Sequence, residues 1–115
     1  MTYELRFSRE AETCIDDQLA WYEADESHGG IELADRWFAK LQDALATLTE
    51  KPTRHGFAPE NGRWLSHLEL RQMLFRPWKG KSTWRVLYVI DDEVKSVTVL
   101  QIRHAKRPFL FEEKE

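Results

Sequence analysis

The chain has 115 residues, the length of one domain, and 42% of them are hydrophobic. Its 14 aromatic residues provide enough apolar surface for one core, which argues against an intrinsically disordered chain. The sequence contains no run of 18 apolar residues, so it predicts no membrane-spanning helix. The N-terminal residues are not those of a secretory signal, and the single cysteine, Cys14, cannot form an internal disulfide. We therefore expect a cytoplasmic protein.

The formal net charge is only −3, but the charges are divided unevenly along the chain. Residues 1–50 contain 4 basic and 12 acidic side chains, a net charge of −8. Residues 51–107 contain 12 basic and 5 acidic side chains, a net charge of +7. Such a division indicates that the basic half binds a polyanion or an acidic partner, unless the two halves neutralise each other within one fold.

The first half of the sequence predicts one short strand and two helices. Hydrophobic and polar residues alternate at the start of the chain, which is typical of a half-buried strand. Ser8 is the expected N-cap of a first helix, Arg9 to Glu26. A glycine-containing turn at residues 27–30 ends it, and a second amphipathic helix continues to Lys51, where Pro52 stops it. A turn this short predicts an antiparallel helical hairpin.

The second half predicts a loop followed by three strands. Residues 52–68 contain two prolines, two glycines and few periodic hydrophobic residues, which indicates a loop. The expected strands are Glu69–Trp78, Thr83–Ile90 and Val94–Ile102. Their short connections favour an antiparallel meander. The predicted fold is therefore α+β, in the order β-α-α-β-β-β, with the helical hairpin packed on a twisted, mainly antiparallel sheet. We expect a single domain over residues 1–111 and a charged tail over 112–115.

Four segments of the chain carry a resemblance to a known family. They read FSREA at residues 7–11, LRQMLF at 70–75, WRVLYVI at 84–90 and VTVLQIRHAKR at 97–107. In this order and spacing they resemble the RelE/ParE superfamily, the toxins of type II toxin–antitoxin systems of the plasmid-stabilisation type. The resemblance extends over roughly residues 3–108 and agrees with the predicted order of elements.

The resemblance implies one partner and two different activities. RelE-like members enter the ribosome and cut mRNA, whereas ParE-like members bind DNA gyrase and stall it without hydrolysis. In both branches a cognate antitoxin wraps around the toxin. The resemblance thus implies a growth-inhibiting protein with an antitoxin partner, no cofactor and no membrane partner. Whether it is an endoribonuclease, and whether it forms a homodimer, stays open.

Four residues match positions where RelE-like nucleases place functional groups. Arg71, Arg85 and Arg107 can hold a phosphate, because the planar guanidinium makes bidentate contacts. His104 is the candidate for proton transfer, since some ribosome-dependent relatives use a histidine near the end of the last strand. Further residues are expected to bind RNA or a partner: Arg76, Lys79, Lys81, Arg103, Lys106 and Phe109.

Each of these residues also has a structural interpretation. Arg85 can pair with a carboxylate on the helical hairpin, and His104 can be an ordinary strand-end histidine. Lys79 and Lys81 can form a solvated turn, and Phe109 can pack in the core or against the antitoxin instead of stacking on a base. The remaining histidines show no metal-ligand spacing, so we predict no metal.

One departure weakens the nuclease hypothesis. RelE has a catalytic tyrosine shortly after its C-terminal arginine, whereas here Arg107 is followed by Pro108, Phe109, Leu110 and Phe111. No phenol is therefore available at that point. Three hypotheses follow from the sequence: a ribosome-dependent endoribonuclease, an inhibitor of DNA gyrase, and a degenerate, non-toxic module that binds an antitoxin and acts as a co-repressor.

Overall fold

The computed structural model describes residues 2–65, 67–78 and 82–110. Its strands and α-helices are β1 (Glu4–Phe7), α1 (Arg9–Glu23), α2 (Gly30–Leu48), β2 (Arg71–Phe75), β3 (Trp84–Asp91) and β4 (Ser96–His104). Short 3-10 turns at Glu26–His28 and Pro52–Arg54 follow the two helices. The order β-α-α-β-β-β confirms the prediction. The predicted tail at 112–115 lies outside the described residues.

The sheet has four strands in the order β1-β4-β3-β2. Strands β2, β3 and β4 form the antiparallel meander that the short connections predicted. Strand β1 lies parallel to β4, with Glu4 opposite Ser96 and Phe7 opposite Val99. A parallel neighbour is possible because the helical hairpin separates β1 from the meander and brings the chain back across the sheet.

Local hydrogen bonds set the ends of the first helix. The Ser8 hydroxyl accepts from the Ala11 N–H at 3.1 Å, which confirms Ser8 as the N-cap. Helix α1 ends at Glu23, before the predicted Glu26, because Asp25 caps a separate 3-10 turn by accepting from the Ser27 N–H at 2.8 Å. Gly29, with φ of 116°, then turns the chain into α2.

The main core fills the space between the helices and one face of the sheet. Trp37 is its largest fully buried side chain. Its ring centroid lies 5.4 Å from that of Trp84 and 6.2 Å from those of Tyr22 and Phe75. These contacts are tilted or edge-to-face, the arrangement that aromatic rings prefer. They bring residues from both helices and two strands into one cluster.

The opposite face of the sheet is covered by a second, smaller layer. Ala58, Leu70 and Leu87 are buried there, with Trp64 and Leu110 packed against them. Apart from the 3-10 turn at Pro52–Arg54, the described residues of the segment 52–68 are irregular, as predicted for a loop, yet Ala58 and Trp64 pack on the sheet. Strand β4 contains a β-bulge, because Leu87 lies opposite Gln101 while the next residue of β3, Tyr88, lies opposite Val99.

Tyr88 connects the sheet to the segment after α2. Its buried hydroxyl should make the stability of the folded protein sensitive to alkali. Its side chain is fully buried, and its hydroxyl donates to the Pro52 carbonyl at 2.5 Å. Burial raises the pKa of Tyr88 from 10.0 to about 12. The folded protein therefore keeps this proton longer than the unfolded chain does. Stability should fall by about 1.4 kcal/mol per pH unit between pH 10 and 12.

This prediction can be checked by urea unfolding of the wild type and Tyr88→Phe at several pH values from 9 to 12. The variant lacks the titrating group, so its stability should decline less steeply over that range. Equal slopes for the two proteins would show that Tyr88 contributes nothing to the alkaline transition.

Candidate functional site

The buried end of the candidate site is an ion pair between Arg85 and Glu60. Arg85 is 4% exposed and Glu60 is 0% exposed. The Arg85 Nη1 donates to Glu60 Oε2 at 3.0 Å, and its Nη2 donates to Glu60 Oε1. The Arg85 Nε donates to the Gln72 side-chain carbonyl at 2.9 Å. All three guanidinium nitrogens of Arg85 are therefore engaged within the protein.

Residues 108–110, here called the C-terminal strap, close over this ion pair. The Phe109 ring centroid lies 5.2 Å from Arg85 Cζ, and the Leu110 N–H donates to Glu60 Oε2 at 3.2 Å. Arg103, itself 2% exposed, donates from Nη2 to the Pro108 carbonyl at 3.0 Å. Burial raises the pKa of Glu60, but the hydrogen bonds from Arg85 and Leu110 outweigh it and lower the pKa overall. The pair is therefore ionised at neutral pH.

Arg71 lies on the other face of the sheet. It is opposite Tyr88 in the ladder, whereas Arg85 is opposite Leu74. Since neighbours directly across two strands share a face, Arg71 points to the helix side and Arg85 to the second layer. The Arg71 Nη1 donates to the His55 carbonyl at 2.6 Å, and its Cζ lies 4.4 Å above the Phe57 ring centroid.

His104 and Arg107 lie at the far end of the sheet on the helix side. His104 is opposite Trp84, and their ring centroids are 5.2 Å apart in an edge-to-face contact. The His104 Nδ1 accepts from the Lys106 N–H at 3.1 Å, which leaves the proton on Nε2 when the ring is neutral. The structure therefore does not bring the four candidate catalytic residues together: Arg85 and Arg71 face opposite sides, and His104 with Arg107 form a separate group.

The other candidate binding residues are scattered. Arg76 is exposed and donates from Nε to the Thr83 hydroxyl at 3.2 Å. Lys106 is exposed in the turn after β4. Lys79 and Lys81, the expected backbone-binding lysines, lie outside the described residues. Their predicted role, like those of the other site residues, stays a prediction.

A cleft of about 640 Å³ opens where His104 and Arg107 meet the first helix. We call it the tryptophan cleft, because its walls include Trp21, Trp78 and Trp84, together with His28, His104 and Arg107. The sequence does not predict this cleft, since its residues come from both helices, the turn between them, the segment after β2 and the ends of β3 and β4. Glu60 was also missed, although it is the one acidic residue between positions 51 and 68.

Within residues 2–65, 67–78 and 82–110, no cluster of three or more histidine, cysteine or acidic side chains is arranged to hold a metal ion. Over the same part of the chain, no helix has the length and apolar character needed to cross a bilayer.

Comparison with known proteins decides the family. Residues 5–109 match the family model described as the ParE toxin of the type II toxin–antitoxin system, parDE. The chain belongs to this ParE toxin family. The match includes the ion pair, the C-terminal strap as far as Phe109, and the tryptophan cleft. No curated protein sequence matches the chain significantly.

Solved structures share the fold of this ParE-family chain. A chain of the chromosomal ParDE system from P. aeruginosa is similar with a TM-score of 0.67 and 14% identity, over 91% of this chain and 98% of that chain. A chain of the RelBE2 toxin–antitoxin complex of Mycobacterium tuberculosis is similar with a TM-score of 0.53 and 20% identity, over 90% of this chain and 99% of that chain. A double arginine-to-alanine mutant of E. coli RelE in the free state is similar with a TM-score of 0.53 and 19% identity, over 98% of this chain and 94% of that chain. At sequence identities this low, the structural similarity establishes a shared α+β fold and nothing finer.

Proposed function

We propose that this ParE-family toxin inhibits growth by binding DNA gyrase, without cleaving mRNA, and that a cognate antitoxin neutralises it. The observation that carries this proposal is the enclosure of Arg85. RNA cleavage needs cationic donors that face the phosphate as charge develops on it. The Arg85 guanidinium instead faces Glu60 and Gln72 inside the protein, beneath the C-terminal strap.

Recruiting Arg85 for catalysis would carry a large energetic cost. Turning it toward a substrate would leave the Glu60 carboxylate buried without its partner, which is strongly destabilising. Arg71 cannot take its place, because it lies on the other face of the sheet. The chain also has no tyrosine after Arg107. Each of these features favours action by binding over action by hydrolysis.

The helical hairpin is the surface that we propose for the target. Residues 1–50, most of which form this hairpin and its turn, have a net charge of −8. Ile31, at the start of α2, is 65% exposed, the largest exposure among the large hydrophobic side chains of the described residues. We infer that Ile31 is the apolar centre of the contact and that the acidic charge around it orients a basic surface of the partner. With gyrase as its target, the toxin would act in the cytoplasm.

The antitoxin is the second proposed partner. The family description is that of a toxin–antitoxin system, and one of the similar structures is a toxin–antitoxin complex. The basic half of this chain exposes Arg76, Lys106 and Arg107 at one end of the sheet. We infer that an acidic segment of the antitoxin binds there, since opposite charges orient partners and speed their association.

The proposal predicts inhibition of gyrase by the purified protein. In a supercoiling assay, Ile31→Asp should weaken inhibition at least tenfold, because a charge at the centre of an apolar contact opposes binding. Val94→Asp is the matched control, since Val94 is 55% exposed but lies in the turn between β3 and β4. It should inhibit as well as the wild type.

Mapping of mRNA 5′ ends after expression completes the test. A growth defect without new, translation-dependent mRNA ends supports the proposal. Translation-dependent cuts, with gyrase unaffected, would instead establish the endoribonuclease. A chain that binds the antitoxin tightly but neither slows growth nor inhibits gyrase would be the degenerate co-repressor module.

A further inference from the structure

The surface that we propose for gyrase does not include the tryptophan cleft, although Arg107 at one end of the cleft also belongs to the basic surface proposed for the antitoxin. The tryptophan rings of the cleft come from three separate parts of the chain: α1, the segment after β2 and the start of β3. Sites for small ligands are typically cavities of about 300–1,000 Å³ with aromatic walls and a few polar groups. The cleft has a volume of about 640 Å³ and lies within this range.

One wall of the cleft is a preformed stacking surface. The rings of Trp21 and His28 are parallel, with an interplanar angle of 1° and centroids 3.9 Å apart. The His28 Nδ1 is 2.8 Å from the Trp21 carbonyl, which fixes the imidazole against the indole. Trp21 is nevertheless 51% exposed and lines the cleft, since a stacked ring occupies only one face of the indole. A flat aromatic ring can stack on such a surface.

Another part of the cleft lining has groups that can bind an anion. His104 is the last residue of β4, Arg107 follows in the turn after it, and both line the cleft. Guanidinium and imidazole groups are the usual partners of phosphate oxygens in proteins. Asp17 and Gln18 line the helix wall and can accept from or donate to the polar edge of a ring. An aromatic surface and a cationic end therefore occur in one cavity.

We propose that the tryptophan cleft binds a nucleotide, with its base stacked on Trp21 and its phosphate held at Arg107 and His104. The shared chemistry is an aromatic base bearing a phosphate, supplied either by a free mononucleotide or by an unpaired nucleotide of a single strand. The cleft lies on the helix side of the sheet, away from the buried Arg85. Ile31, which tests the gyrase proposal, is not part of its lining.

Isothermal titration calorimetry with adenosine 5′-monophosphate tests the stacking surface. We expect saturable binding to the full chain, weakened roughly tenfold or more in Trp21→Ala because a base loses its stacking partner. Phe57→Ala is the matched control, since Phe57 is 50% exposed and does not line the cleft. It should bind like the wild type. Thermal unfolding of all proteins verifies that the variants are folded.

The phosphate end has a separate readout. Arg107→Gln should weaken the binding of adenosine 5′-monophosphate but leave the weaker binding of adenosine unchanged, because only the nucleotide has the phosphate. A short single-stranded oligonucleotide distinguishes the two sources. Tighter binding of the oligonucleotide, in competition with the mononucleotide, indicates a strand; tighter binding of the mononucleotide indicates a free ligand.

Three results would overturn the proposal. These are no saturable binding of the mononucleotide or the oligonucleotide up to millimolar concentration, equal weakening by Phe57→Ala and Trp21→Ala, and oligonucleotide binding that the mononucleotide cannot displace. Because none of these experiments involves gyrase, a negative result leaves the gyrase proposal intact, and the reverse also holds.

Discussion

Replacing Glu60 by glutamine is expected to lower the free energy of unfolding by about 3–5 kcal/mol. The reason is the burial of its partner, since Arg85 is only 4% exposed and would keep its charge without a counterion. The uncharged amide would also lose the charge-assisted hydrogen bonds of the Arg85 guanidinium. Urea unfolding at pH 7, followed by circular dichroism, measures the loss.

A surface ion pair of the same chemistry provides the matched control. Glu4 and Arg6 form a salt bridge of 3.0 Å, but their side chains are 64% and 50% exposed. Glu4→Gln should therefore leave the unfolding curve unchanged within error. In the double variant Glu60→Gln with Arg85→Met, part of the lost stability should return, because no buried charge is left unpaired. A double variant less stable than Glu60→Gln would contradict this explanation.

The same ion pair should make the free energy of unfolding decrease as the pH falls into the acid range. In the folded protein the pKa of Glu60 is lowered below its ordinary value of 4.5, because the bonds from Arg85 and Leu110 outweigh burial. The unfolded chain therefore takes up this proton first as the pH falls. The stabilisation is complete above pH 4.5 and is lost below it. The wild type should thus lose more stability than Glu60→Gln on acidification, and parallel acid profiles would argue against the ion pair.

The sequence was sufficient for most of the architecture, because local patterns determine each element. The alternation before Ser8, the N-cap itself and the three strand-like segments all predicted elements that the structure contains. The helix ends were less accurate: α2 ends at Leu48 and not at Lys51, before the proline that was expected to stop it. Helix ends depend on hydrogen bonds that short patterns specify poorly.

The candidate site was harder to predict, because it depends on contacts between distant segments. One of the two interpretations of Arg85 paired it with a carboxylate on the helical hairpin, whereas its partner Glu60 lies in the segment between α2 and β2. Periodicity places Arg85 on the face opposite Trp84, but it does not reveal that this face is covered by the C-terminal strap and by Ala58, Glu60 and Trp64. The tryptophan cleft likewise exists only once α1 lies against the end of β4.

Trp37→Ala is expected to cost about 3–5 kcal/mol of folding free energy, comparable to the loss of the buried ion pair. Trp37 is fully buried and contacts rings from α1, β2 and β3, so its removal opens a cavity at the centre of the main core. Trp37→Phe should cost clearly less, because it keeps a ring and because the indole N–H has no hydrogen-bond partner among the described residues.

Trp21→Ala is the control for this experiment, since it removes the same side chain from a site that is 51% exposed. It should change stability far less than Trp37→Ala in the same urea titration. The cavity also bears on the tryptophan cleft, because Trp37 supports Trp84, and Trp84 contacts His104. Any Trp37→Ala protein that still folds should therefore show altered near-ultraviolet circular dichroism from the cleft tryptophans. A stable variant with an unchanged spectrum would show that Trp84 and His104 are positioned without Trp37.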